Sequence, residues 1–191
     1  MTIRRAAALV VILVALSAVT AKRVSAAPAT QPSSADTFVV SDMRVQTIAG
    51  FNYLYNSSET TLEKMGEPIG RTIPAMEKEI AAGKFHPVGP MVFVYRDMTD
   101  IAQPFKLDIG FPVPPDTIAV GEFKRRKVEP FKCATVVFSG PMSKISDAYQ
   151  KLMAAMTAAN LRPMTTIQEF HLYFEGPQSP NNVVLIQVGI E

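Results

Sequence analysis

Tryptophan is missing from these 191 residues, and there are one cysteine and two histidines. A lone thiol, Cys133, excludes an intrachain disulfide, and its setting in the apolar run FKCATVVF makes it a buried thiol in our reading. With His86 and His171 as the sole imidazoles, no zinc-ligand spacing can be assembled, and neither a metal nor another cofactor is expected. Phosphate loops and dinucleotide glycine fingerprints are missing too, which removes the nucleotide chemistry they support. Ser139, in Ser-Gly-Pro at 139–141, lacks the Gly-x-Ser-x-Gly elbow and is read as a turn residue, not a nucleophile.

Positive charge is scarcer than the net value of +2 suggests. The chain opens with Arg4 and Arg5, continues with an uncharged, mostly apolar run from Ala6 to Ala21, and then turns to small residues, the layout of a secretory signal peptide. Cleavage fits after Ala21 or after Ala26. Lys22 and Arg23 leave an uncleaved anchor as the alternative, although the run is short of the roughly 20 residues a full span needs. All 17 acidic residues lie downstream, whereas Arg4, Arg5, Lys22 and Arg23 belong to the leader. Loss of residues 1–26 leaves 15 basic against 17 acidic residues, so no basic field for nucleic acid survives. FKRRK at 123–127 is the remaining basic run and is read as a solvated strand edge or turn. Residues 27–37, rich in Pro, Ser and Ala, read as a disordered tether, and 38–191 as one domain, located in the periplasm or secreted.

What is there, from Phe38 on, is one pattern written twice. Alternating and apolar runs predict strands at about 39–47, 50–56, 91–97 and 105–112, with a helix at about 66–82; the second half repeats them as strands at about 117–127, 131–139, 167–174 and 183–190, with a helix at about 142–159. The helix stripes are Ile69, Ile73, Met76, Ile80 and Ile145, Tyr149, Leu152, Met156, both at steps of four, three and four. Tyr95 matches Tyr173 at an offset of 78, and Pro112 matches Gly189 at 77, which argues for an internal duplication. The expected fold is therefore α+β: duplicated β-β-α-β-β halves about a pseudo-two-fold axis, an antiparallel sheet, two helices on one side and a ligand cleft on the other.

The segment VVFSGPMSKISDAYQKL, with Gly140, Pro141, Ile145, Ala148, Tyr149 and Leu152, resembles the strand-to-helix segment of GyrI-like small-molecule-binding domains, the effector-binding domains of AraC-type and MerR-type activators. VGPMVFVYRD (88–97), LDIGFPV (107–113) and LYFEGP (172–177) extend the resemblance over roughly residues 38 to 190. It implies a binding cleft on the helix-free face, with aromatic walls and a buried carboxylate. The family's last strand usually carries Thr-Glu where this chain has Val184 and Leu185, so that carboxylate is missing and Asp108 stands as its first-half counterpart. No DNA-binding element accompanies the domain.

Strand alternation then assigns faces. If Phe170, Leu172 and Phe174 face the helices, Glu169, His171 and Tyr173 face the cleft; if Val184, Ile186, Val188 and Ile190 face the helices, Leu185 and Gln187 do not. By the repeat, Met91, Phe93 and Tyr95 share the cleft with Lys106 and Asp108. The expected ligand-binding residues are Phe93, Tyr95, Asp108, Tyr173, Leu185 and Gln187, and the expected action is sequestration of an amphipathic or aromatic small molecule, without turnover. One alternative is hydrolysis of strained electrophiles, with Glu169 and His171 beside Tyr173 as catalytic candidates. Another is haem carriage on the related architecture of SOUL proteins, with His171 or His86 as ligand. Polar residues on a solvated sheet face need no role, and that reading stands beside the others.

Overall fold

The computed structural model describes residues 37–100 and 102–191; the leader (1–26) and all but Thr37 of the tether (27–37) lie outside the described residues. Nine strands and two helices follow in the order β1 (Val39–Val40), β2 (Arg44–Ile48), β3 (Phe51–Thr60), α1 (Gly66–Ala81), β4 (Met91–Arg96), β5 (Phe105–Val113), β6 (Lys124–Val128), β7 (Phe131–Ser139), α2 (Ile145–Ala158), β8 (Pro163–Tyr173) and β9 (Val183–Ile190). All pair antiparallel in one sheet of order β1-β7-β9-β8-β4-β5-β3-β6, with β2 also on β7.

From β2 to β6 this order is unchanged when each strand is exchanged for its counterpart in the other half. At the centre Met91 lies opposite His171 and Phe93 opposite Glu169, with Val92 facing Phe170 between them, a register symmetric about an offset of 78 and so compatible with the repeat. The first strand of each half pairs with the other half, β2 on β7 and β6 on β3. The run expected at 39–47 is divided: Val40 pairs with Phe138 but Arg44 with Thr135, a one-residue slip. Ser41 fills the gap, donating its backbone amide to Val137 O and accepting from Val137 N, both at 2.9 Å. The expected strand 117–127 shortens to β6 because a tight turn from Val120 to Phe123, with Gly121 at φ 56°, precedes it.

The helices sit where their apolar stripes demand. Ile69 and Ile73 of α1 pack on Phe93, Tyr95, Leu107 and Ile109, while Met76 and Ile80 reach Leu54 and Val113. Leu152 and Met156 of α2 cover Ala134, Val136, Val184, Ile186 and Val188. Pro68 falls in the opening turn of α1, where no amide is needed, but Pro74 lies inside it and removes a bond to Gly70. Both helices end in left-handed residues, Gly83 (φ 70°) and Asn160 (φ 54°), whose amides turn back to Ile80 O and Thr157 O.

The face without helices is buried as well, because the sheet curls. Phe51 of β3 touches Phe170 of β8 at 5.7 Å between ring centroids, although β5 and β4 lie between and three flat spacings would be roughly 14 Å. Gly110 permits the close approach of β5 to β3, since a Cβ there would lie 2.0 Å from Leu54 O. Tyr53, Val92 and Val94 form the core of this second face, with Tyr55, Val128 and Phe170 around them.

Candidate ligand-binding site

The curl divides the expected site residues between two faces. Phe93 and Tyr95 pack under α1, so they lie on the helix side and not on the helix-free face assigned to them above. Glu169 and His171 are on the helix side too: Glu169 bonds Tyr149 of α2, and the His171 ring packs at a tilt against Phe93, 4.4 Å between centroids. The alternation of β8 misleads because Phe170 packs, half-buried, on the opposite face, against Phe51 and Tyr53; apolar residues on a strand covered on both sides do not mark the helices. A register shift between His171 and Tyr173 then leaves Tyr173 half exposed, its phenol donating to Glu175 at 2.7 Å. In β9, Val184, Ile186 and Val188 do meet α2, and Leu185 and Gln187 lie opposite, as does Asp108.

Two buried carboxylates result, one on each face. Asp108 is wholly buried and saturated. Arg96 donates to both of its oxygens, at 2.8 and 3.0 Å, Arg126 adds an ion pair at 2.7 Å, and Ser57 donates at 2.5 Å. The bonds to Asp108 hold the Arg96 guanidinium above its ordinary pKa. Arg126, one of the basic residues read as solvated edge, instead turns in over the rings of Tyr55 and Tyr53, at 4.7 and 5.6 Å. Lys106 bonds Asp97, not Asp108. Two guanidiniums over one carboxylate leave an excess positive charge, so Asp108 offers nothing to a ligand cation. Farther along this face Gln168 and Gln187 are opposite neighbours on β8 and β9, both buried, each with a side-chain oxygen that has no partner.

Glu169 is different. It is 4% exposed, and its oxygens accept from Tyr95 (2.9 Å) and Tyr149 (2.5 Å), two neutral phenols brought by β4 and α2. Burial first, and the carboxylate's charge second, push both phenols well above their ordinary pKa. His171 Nε2 stands 3.6 Å from Glu169 Oε2, beyond hydrogen-bond length. No lysine or arginine pairs with this carboxylate among the described residues. Met65, Ile69 and Ile73 of α1, with Phe93 and Ile167, complete an apolar wall around it. Glu169 thus gives the second half a buried carboxylate on β8, while β9 carries Val184 and Leu185 where a Thr-Glu pair was expected of the family. Tyr149 was assigned to the core stripe of α2, and its signal was to be the sole hydroxyl in that stripe. Two shallow hollows, of about 330 Å³ beside Lys64 and Arg71 and about 300 Å³ beside His86 and Ile118, touch neither carboxylate.

A family profile, GyrI-like small molecule binding domain, matches residues 41–190. The chain belongs to this family. A search of the curated proteins finds no match. Among solved structures, this GyrI-like chain is similar to an integron cassette protein from the mobile metagenome of Vibrio cholerae (20% identity, 82% of this chain and 100% of that one, TM-score 0.56). It is also similar to the EcmrR C-terminal domain (15% identity, 78% and 97%, TM-score 0.64) and to SAV2435 bound to tetraphenylphosphonium (7% identity, 79% and 94%, TM-score 0.58). At these identities the likeness is one of fold: a curled antiparallel sheet with two helices, in a small-molecule-binding family.

Proposed function

We propose that this GyrI-like domain is an exported binding protein that sequesters a lipophilic organic cation between α1 and α2, with Glu169 as counter-charge. The carrying observation is a nearly inaccessible carboxylate partnered by two phenols and, among the described residues, by no lysine or arginine, since an ionised group buried among neutral partners gains strongly from an incoming positive charge. Phe93, Tyr95 and Tyr149 supply ring faces that attract cations. The tetraphenylphosphonium bound by SAV2435 is a ligand of this chemistry. Each helix packs on its own half of the sheet. Export rests on the layout of residues 1–26.

Native mass spectrometry of the protein purified from its own cells, before and after denaturing extraction, tests this reading. A released cationic mass is expected; a clean apo mass together with no affinity for tetraphenylphosphonium would overturn it. Fractionation with N-terminal sequencing tests export, and a chain that keeps residues 1–26 in the cytoplasm would refute it.

A second reading is favoured by the same cluster. Glu169 with Tyr95, Tyr149 and His171 places an acid-base group among donors that could protonate a strained ring as it opens. Turnover of an electrophile that vanishes in Glu169→Gln would establish it. The haem alternative is not favoured at His171, whose Nε2 is buried and faces Glu169.

A further inference from the structure

Resting on the cation site at Glu169, we propose that His171 is its proton gate: the imidazolium supplies the positive charge that a ligand would otherwise bring, so cation binding expels a proton and weakens as pH falls. His171 Nε2 lies 3.6 Å from Glu169 Oε2, within ion-pair reach, and is buried without a hydrogen-bond partner. Its ring is held in place, packed at a tilt against Phe93 at 4.4 Å between centroids and met edge-on by Phe174 at 6.5 Å. Proton and ligand cation are thereby confined to one carboxylate.

The surrounding groups leave few other candidates for the coupling. On β4, Met91 lies opposite His171 and Tyr95 bonds Glu169; on β9, Val184 lies opposite; from α2 comes Tyr149. Both phenols are pushed well above their ordinary pKa by burial and then by the Glu169 charge, so they stay neutral between pH 5 and 8. The other ionisable groups of this cluster are His171 and Glu169 itself. The sign follows from reciprocity: a ligand cation disfavours the imidazolium, hence protons disfavour the ligand. Affinity for the cation should therefore fall as the pH drops from 7.5 to 5.5.

The experiment is calorimetric titration of the full-length protein with tetraphenylphosphonium, a permanent cation, at pH 7.5, 6.5 and 5.5, repeated at pH 6.5 in buffers of different ionisation enthalpy. Weakening by about fivefold or more from pH 7.5 to 5.5, and net release of protons on binding at pH 6.5, are expected. His171→Gln, and His171→Asn as a second variant, should flatten the profile, so that each variant's affinities at pH 7.5 and 5.5 agree to within about twofold. A decline that persists in both variants assigns the proton to Glu169 and overturns the gate, as does a flat wild-type profile. A separate readout needs no ligand: the His171 ring protons, followed by NMR, should titrate at lower pH in Glu169→Gln. An unchanged midpoint refutes the proposal even where the cation binds, whereas absence of binding with a shifted midpoint refutes the binding reading and leaves the His171–Glu169 coupling established.

Discussion

Replacing Glu169 by Gln should move ligand affinity and stability in different directions. In the native site the carboxylate accepts from Tyr95 at 2.9 Å and Tyr149 at 2.5 Å, at 4% exposure. The amide can keep both contacts, accepting from one phenol through its oxygen and donating to the other through its nitrogen. What disappears is the charge. A ligand cation centred about 5 Å away gains about 3 kcal/mol from a carboxylate at an effective dielectric of about 20, so its loss should weaken tetraphenylphosphonium by about 100-fold. Folding no longer has to bury an ion among neutral groups, so the unfolding free energy should stay within about 1 kcal/mol of wild type or rise. Calorimetric titration measures the first quantity and urea unfolding, read at constant m-value, the second. Affinity within threefold of wild type, or a stability loss above about 3 kcal/mol, would show that the carboxylate holds the strands together and refute the reasoning.

Asp108→Asn should do the reverse, costing about 2–4 kcal/mol in urea unfolding because it leaves Arg96 and Arg126 facing each other, with their partial exposure trimming the penalty; tetraphenylphosphonium affinity, read on the other face, should change less than twofold. Gln187→Leu removes a buried oxygen without a partner and should raise stability by about 1 kcal/mol, a rise in Tm of about 2–4 °C; destabilisation would show the oxygen to be satisfied by water. Tyr53, Tyr95 and Tyr149 all have phenols held well above the ordinary value by burial, so their stabilising contribution is present below pH 10 and is lost as pH rises beyond it. Phenolate absorbance for these three should therefore appear together with unfolding, and an earlier, folded-state titration would contradict the burial.

Read alone, the chain determined its two-fold grammar. Local physics suffices for that: a stripe such as Ile145, Tyr149, Leu152, Met156 can be buried on one side only as a helix, and Gly83 and Asn160 end the two helices in left-handed turns. Strand existence was legible for the same reason, and the β9 alternation correctly set Val184 and Ile186 against a helix. Which face holds a site was not legible. Curling buries both faces of the sheet, so Phe170 looks like Phe93 in sequence but points the other way. The charges were equally silent: Asp108 acquires Arg96 from the neighbouring strand and Arg126 from an edge strand, and Glu169 acquires Tyr95 across 74 residues, through the β4–β8 register. Both carboxylates are ordinary residues in the chain. Tertiary structure alone decided that one is neutralised by two guanidiniums and the other by none, because that depends on which strands the curl brings side by side.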